Sequence, residues 1–150
     1  MHLLDFLTPS RVAVPLDAVA ADDLLSNLVK LAAPDSPHHD VLCDEVRARE
    51  AVFPTALDDG VALPHVRTAY VSQVQMSAAV LTAPLTFGSA EASAVDVFFL
   101  VLSPANAPSD HLKVLRAVAR LVADPAVVAA LRRARSPSDF LATVRQTQSF

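Results

Sequence analysis

The sequence predicts an α/β fold, a three-layer sandwich in which a mixed β-sheet carries helices on both faces. Three observations lead there. Segments of strand periodicity alternate with segments of helical periodicity along the chain. One strand segment, residues 95–102, is apolar almost without interruption, as a strand covered on both faces must be. With 53% hydrophobic and 19% charged residues, a chain of 150 can build a core that needs neither disulfide nor metal.

Val12, Val14 and Leu16 alternate as in a short strand. Leu24, Leu25, Leu28 and Leu31 then recur at helical spacing, with Asp22 and Asp23 in the first turn, where the helix dipole favours negative charge; this helix stops near Pro34. Asp40 is a suitable cap for a second helix that carries Val41, Leu42 and Val46 inward and ends on the pair Arg49-Glu50. Asp58-Asp59-Gly60 reads as a turn, and residues 61–63 as a brief strand stopped by Pro64, which puts His65 just past a strand end.

From Gln73 onward, Val74, Met76, Ala78 and Val80 alternate with Gln73, Gln75 and Ser77, the pattern of a strand with one buried face. A turn over residues 84–93 leads into the apolar central strand. Leu112, Leu115, Val118, Ala119 and Val122 mark an amphipathic helix capped by Ser109 or Asp110, so His111 falls in its first turn. Asp124-Pro125 and Ser136-Pro137 each pair a capping residue with a proline at the first helical position and predict two closing helices. No repeat or long linker interrupts the pattern, so one domain is expected over residues 1–150.

Composition narrows the function. A formal charge of −4 has the wrong sign for a protein that neutralises nucleic-acid phosphates, so no nucleic-acid partner is expected. The apolar runs are far shorter than the roughly 20 residues of a membrane span, and the N-terminus lacks the basic lead of a secretory signal. An integral membrane segment is not expected, and the cytoplasm is the expected compartment. The lone Cys43 forms no internal disulfide and reads as a buried, inert residue of its helix. With Gly60 and Gly88 the only glycines, a glycine-rich nucleotide loop is excluded.

Among five histidines, His65 has the most distinctive setting: a small apolar strand, a rigid proline, the imidazole, and Arg67 two residues on. Ligand sites of open α/β sheets collect at strand ends. By spacing alone, a histidine satisfied by turn hydrogen bonds accounts for His65 equally well. His38 and His39 are adjacent, cannot face the same way, and read as a solvated loop. Arg132, Arg133 and Arg135 read as a helix C-terminus answering its dipole.

Residues 49–65, REAVFPTALDDGVALPH, resemble the phosphohistidine segment of the type 2 (fructose/mannitol/nitrogen-type) IIA domains of the bacterial phosphoenolpyruvate:sugar phosphotransferase system. Glu50, Thr55, Leu57, Gly60, Val61, Ala62, Leu63, Pro64 and His65 match that pattern in order and spacing. Residues 95–122 are similar to the second signature of the same family, an apolar strand ending in proline, a polar loop and a His-Leu-Lys helix. Asp58 stands where the family usually has Gly or Ala, and Val66 replaces a small residue after the histidine.

The resemblance implies a phosphotransferase whose phosphorylated nucleophile is His65. A neutral imidazole titrates near neutrality and carries a lone pair, so it can attack phosphorus without a dedicated base. Arg49, with a planar guanidinium able to bind two phosphate oxygens, and His111, in a helix first turn that favours anions, are the expected catalytic partners. Thr55, Glu50 and, more weakly, Arg67 are expected at the phosphate or partner-binding surface. The implied partners are an HPr-like phosphocarrier as donor and a IIB domain as acceptor; the alternative is a nitrogen-type regulatory module whose phosphorylation controls a target protein. No cofactor or metal is expected, because the phosphate arrives already bound to a protein.

Overall fold

The computed structural model describes residues 2–18, 20–88 and 94–148, the side chain of Asp58 excepted. Among these residues five strands form one mixed sheet: β1 (Val12–Leu16), β2 (Val61–Ala62), β3 (His65–Thr68), β4 (Gln75–Thr86) and β5 (Ala94–Pro104). The order is β1-β4-β5, with β2 and β3 both against the far edge of β5. β1 runs parallel to β4, β4 antiparallel to β5, and β2 and β3 parallel to β5. The described helices are α1 (Ala21–Ala32), α2 (His39–Val52), α3 (Pro108–Leu121), α4 (Pro125–Arg132) and α5 (Pro137–Gln148).

The three layers follow from the pleat of β5. Phe98, Leu100 and Leu102 point to one face and meet Leu24, Leu28, Leu42 and Val46 of α1 and α2. Val97, Phe99 and Val101 point to the other and meet Val114, Val118, Val128, Leu131, Phe140 and Val144 of α3, α4 and α5. Each large apolar side chain buried this way contributes roughly 1.5–3 kcal/mol, so β5 is the element on which both halves of the core depend. Both proline-capped helices form where the sequence places them: Asp124 Oδ1 accepts from the amide of Ala126 at 2.9 Å, and Ser136 Oγ from the amide of Asp139 at 3.1 Å.

Several expectations need correction. Over residues 76–81 β4 has no solvated face: Ser77 and Ala79 are as buried as Met76 and Ala78, because α1 covers the side that alternation assigned to water. Ser77 is tolerated there by donating to the carbonyl of Leu28 at 2.7 Å. β4 also runs through Thr86, so the turn expected from residue 84 begins later; residues 89–93 lie outside the described set. Asp40 lies inside the first turn of α2, with His38 at the cap, and Val41 is exposed while Cys43 is buried in its place. In α3 the cap is Ala107, and the inward face is His111, Val114, Val118 and Leu121 rather than one through Leu112 and Ala119, which are exposed. Cys43 is buried as expected, and desolvation pushes its thiol up.

Candidate active site

Pro64 interrupts the sheet edge without ending it. The offset between partners is the same before and after it, Val61 opposite Val97, Ala62 opposite Phe98, and His65 opposite Val101. His65 is therefore the first residue of β3 rather than a residue beyond a strand tip. The gap falls at Leu63, whose carbonyl turns back and accepts from His65 Nδ1 at 2.8 Å. A carbonyl only accepts, so Nδ1 carries the proton and Nε2 presents its lone pair.

Nε2 faces the end of α2, where Arg49 Nη2 lies 3.4 Å away. Phe53 braces that guanidinium from below, with its ring centroid 4.9 Å from Cζ. Arg49 Nη1 is buried and has no hydrogen-bond partner. An unanswered guanidinium donor inside a site is costly unless a ligand meets it. The ion-pair role that chain position would allow Arg49 belongs instead to Arg47, which binds Asp22 and Asp44, both at 2.9 Å.

α3 brings the second imidazole. His111 is buried in its first turn, its ring centroid 5.4 Å from that of His65. Its Nδ1 lies 2.7 Å from Oγ of Ser103, itself fully buried near the end of β5. Together Arg49, His65, Val66, Arg67, Ala105 and His111 line an open cleft of about 430 Å³. Burial is the chief cause that lowers the affinity of both rings for a proton. Arg49 adds to it at His65 against the opposing Leu63 hydrogen bond, and the charges of His65, Arg67 and Arg49 add to it at His111, so that His65 shifts below its ordinary value and His111 falls to about 4. Both are neutral at neutral pH, so His65 Nε2 keeps a lone pair, toward which Arg49 Nη2 is directed.

The fold thus unites His65, Arg49, His111 and Arg67. Glu50 and Thr55 do not line the cleft. They face each other behind it, the Thr55 amide and hydroxyl each donating to a Glu50 carboxylate oxygen at 2.6 Å. Val66 borders the cleft, half-buried, and leaves it open. Chain reading missed the Leu63 carbonyl, Phe53 and Ser103. For Ser103 a signal existed, a serine closing an otherwise apolar run one residue before a proline. Among the described residues no cluster of His, Cys, Asp and Glu could hold a metal ion.

Both histidine signatures therefore converge on one pocket, and residues 5–147 match the family model described as phosphoenolpyruvate-dependent sugar phosphotransferase system, EIIA 2. The chain belongs to the EIIA type 2 family. Phosphoryl transfer is the general activity of EIIA domains. A nitrogen regulatory protein of Bradyrhizobium diazoefficiens is 32% identical over 136 residues, covering 90% of this chain and 89% of that one. The 2-O-alpha-mannosyl-D-glycerate-specific EIIABC component of Escherichia coli is 34% identical over 103 residues, 67% of this chain and 16% of that longer protein. The crystal structure of nitrogen regulatory protein IIA-Ntr from Neisseria meningitidis superimposes with a TM-score of 0.86 at 25% identity, covering 95% of this chain and 98% of that one. The EIIA chain is thus similar both to a PTS system EIIABC component and to nitrogen regulatory proteins. No helix among its described residues is long and apolar enough to cross a membrane.

The other histidine and arginine clusters have local roles. His38 is exposed ahead of α2, as expected of a solvated loop, its ring tilted against that of Tyr70, whereas His39 is the first residue of α2, with Nε2 2.6 Å from the carbonyl of Ala33. Arg132 binds Asp96 through Nε at 2.8 Å and also donates to the carbonyl of Asp59, which ties it to the sheet rather than to its own helix end.

Proposed function

We propose that the chain is a phosphocarrier in which His65 accepts a phosphoryl group from an HPr-like phosphohistidine protein and passes it to a IIB component. The observation that carries this reading is the pairing of a fixed Nδ1–H with an Nε2 that faces both an open cleft and the arginine with a buried, unanswered donor. In the transfer, Nε2 attacks phosphorus, the donor's P–N bond breaks, and the donor imidazole leaves with the bonding pair. Nδ1 keeps its proton on the Leu63 carbonyl.

Arg49 Nη1 and Nη2 supply two charge-assisted donors to phosphate oxygens. When Ser103 donates to His111 Nδ1, the neutral ring carries its proton on Nε2 and offers a third donor without adding a charge. Arg67, exposed on the cleft rim, serves the partner's surface. Residues 1–150 act as one domain in the cytoplasm, where both partners reside.

A second reading draws on the relatives called nitrogen regulatory protein: the phosphorylation state of His65 controls which target protein is bound, with no sugar transport. One assay separates the outcomes. The chain is incubated with phosphoenolpyruvate, enzyme I and HPr, and acid-labile phosphate is measured on the wild type and on His65→Ala. Labelling of the wild type alone is expected, and equal labelling of both overturns the assignment. Onward transfer to a IIB protein distinguishes the carrier from the regulator.

A further inference from the structure

Glu50 sits where a carboxylate is least expected. It lies in the last turn of α2, at the negative end of the helix dipole, only 7% exposed, and forms no ion pair with any described Lys or Arg. Two donors offset this cost, the amide and the hydroxyl of Thr55, each at 2.6 Å.

Thr55 opens a small hairpin. Residues 55–57 run antiparallel to residues 61–63, with Ala56 bridged to Ala62, the amide of Leu57 donating to Val61 at 2.7 Å and the amide of Leu63 to Thr55 at 3.4 Å. The returning strand ends on Leu63, whose carbonyl holds His65 Nδ1–H. The turn between them is held at its far side by Arg132, which donates to the carbonyl of Asp59 while binding Asp96.

We propose that Glu50 is a positioning residue: through Thr55 it anchors the hairpin that presents the Leu63 carbonyl to His65, and so sets which ring nitrogen carries the proton. This rests on His65 being the phosphoryl acceptor. Without a fixed acceptor for Nδ1–H, the proton is free to occupy Nε2, where it removes the lone pair that must attack phosphorus. The carboxylate itself does not line the cleft, although its charge reaches the His65 ring and opposes the lowering of that ring's proton affinity.

The test uses the full chain, ¹⁵N-labelled, as wild type, Glu50→Ala, Thr55→Val and Thr55→Ser. Two readouts are taken: the His65 tautomer from long-range ¹H–¹⁵N correlations, and the transfer rate from phosphorylated HPr, with the amide spectrum reporting the fold. Glu50→Ala is expected to populate the Nε2–H tautomer and to slow transfer on the order of tenfold. Thr55→Val should move both readouts the same way by less, and Thr55→Ser should restore them. A folded Glu50→Ala with wild-type tautomer and rate overturns the proposal. Should Glu50→Ala not fold, an unchanged tautomer and rate in Thr55→Val overturns it. A wild type that never takes up phosphate rejects the phosphocarrier reading, while a tautomer change in Glu50→Ala still upholds the anchoring role.

Discussion

Two histidine pairs invite comparison. His38 and His39 are neighbours in sequence at the start of α2, whereas His65 and His111 are far apart in the chain and meet only through the sheet. In the first pair the rings part company, one against Tyr70 and the other against the Ala33 carbonyl. In the second, Nδ1 of each ring is tied down, to Leu63 or to Ser103, and the two rings border one cleft together with Arg49. Adjacency in sequence gives separate local anchors; convergence in space gives a site with one orientation and an unsatisfied donor.

The comparison breaks most visibly by substitution of the rings themselves. His65→Ala should abolish acid-labile labelling, while His38→Ala should label at the wild-type level; loss of labelling in His38→Ala would mean that the two pairs do not differ as described. Next in size, Arg49→Gln should slow transfer by about 10²- to 10³-fold, the range for removing one fixed oxyanion donor, with an unchanged amide spectrum. An unaltered rate would leave Arg49 a half-buried cation braced by Phe53 with no part in transfer.

Acid sharpens the contrast further. Burial lowers His111 from 6.5 to about 4, so between those values the unfolded chain binds a proton at this residue and the native chain does not. The contribution of His111 to stability is therefore complete above pH 6.5 and is lost as pH falls toward 4. Denaturant titrations across that window should show the loss, and His111→Gln should flatten it; an NMR titration with a midpoint near 6.5 would contradict the burial argument. The smallest effect belongs to His39. Removing its hydrogen bond in His39→Ala should cost about 0.5–1.5 kcal/mol of stability and leave the transfer rate alone.

How much of this was legible in the chain varies with the range of the forces involved. The strand of β1, the proline-capped α4 and α5 and the central β5 all follow from local rules, since capping, turn chemistry and unbroken apolar runs act within a few residues. Periodicity failed where a neighbouring layer decided burial. Ser77 looked solvent-facing because polar residues alternate with apolar ones there, but α1 closes over it. The face of α3 was misjudged for the same reason: His111, polar by type, points inward because Ser103 is there to receive it.

The site shows the same division. His65, Arg49 and His111 were identifiable from two matching signatures, yet Glu50 and Thr55 looked like phosphate or partner contacts until the fold turned them toward each other. Leu63 was invisible as a functional residue, because its contribution is a backbone carbonyl whose direction depends on the hairpin.

By itself, then, the amino-acid sequence determined most of the elements, β3 excepted, together with the setting of His65 after Pro64 and which family the signatures resemble, all consequences of residue type at short spacing. Only the tertiary structure decided which ring nitrogen of His65 carries the lone pair, that Arg49 keeps a buried donor without a partner, and that Glu50 stands behind the cleft rather than in it. Hydrogen-bond direction and desolvation depend on groups brought together from distant parts of the chain, and neither exists until the layers have packed.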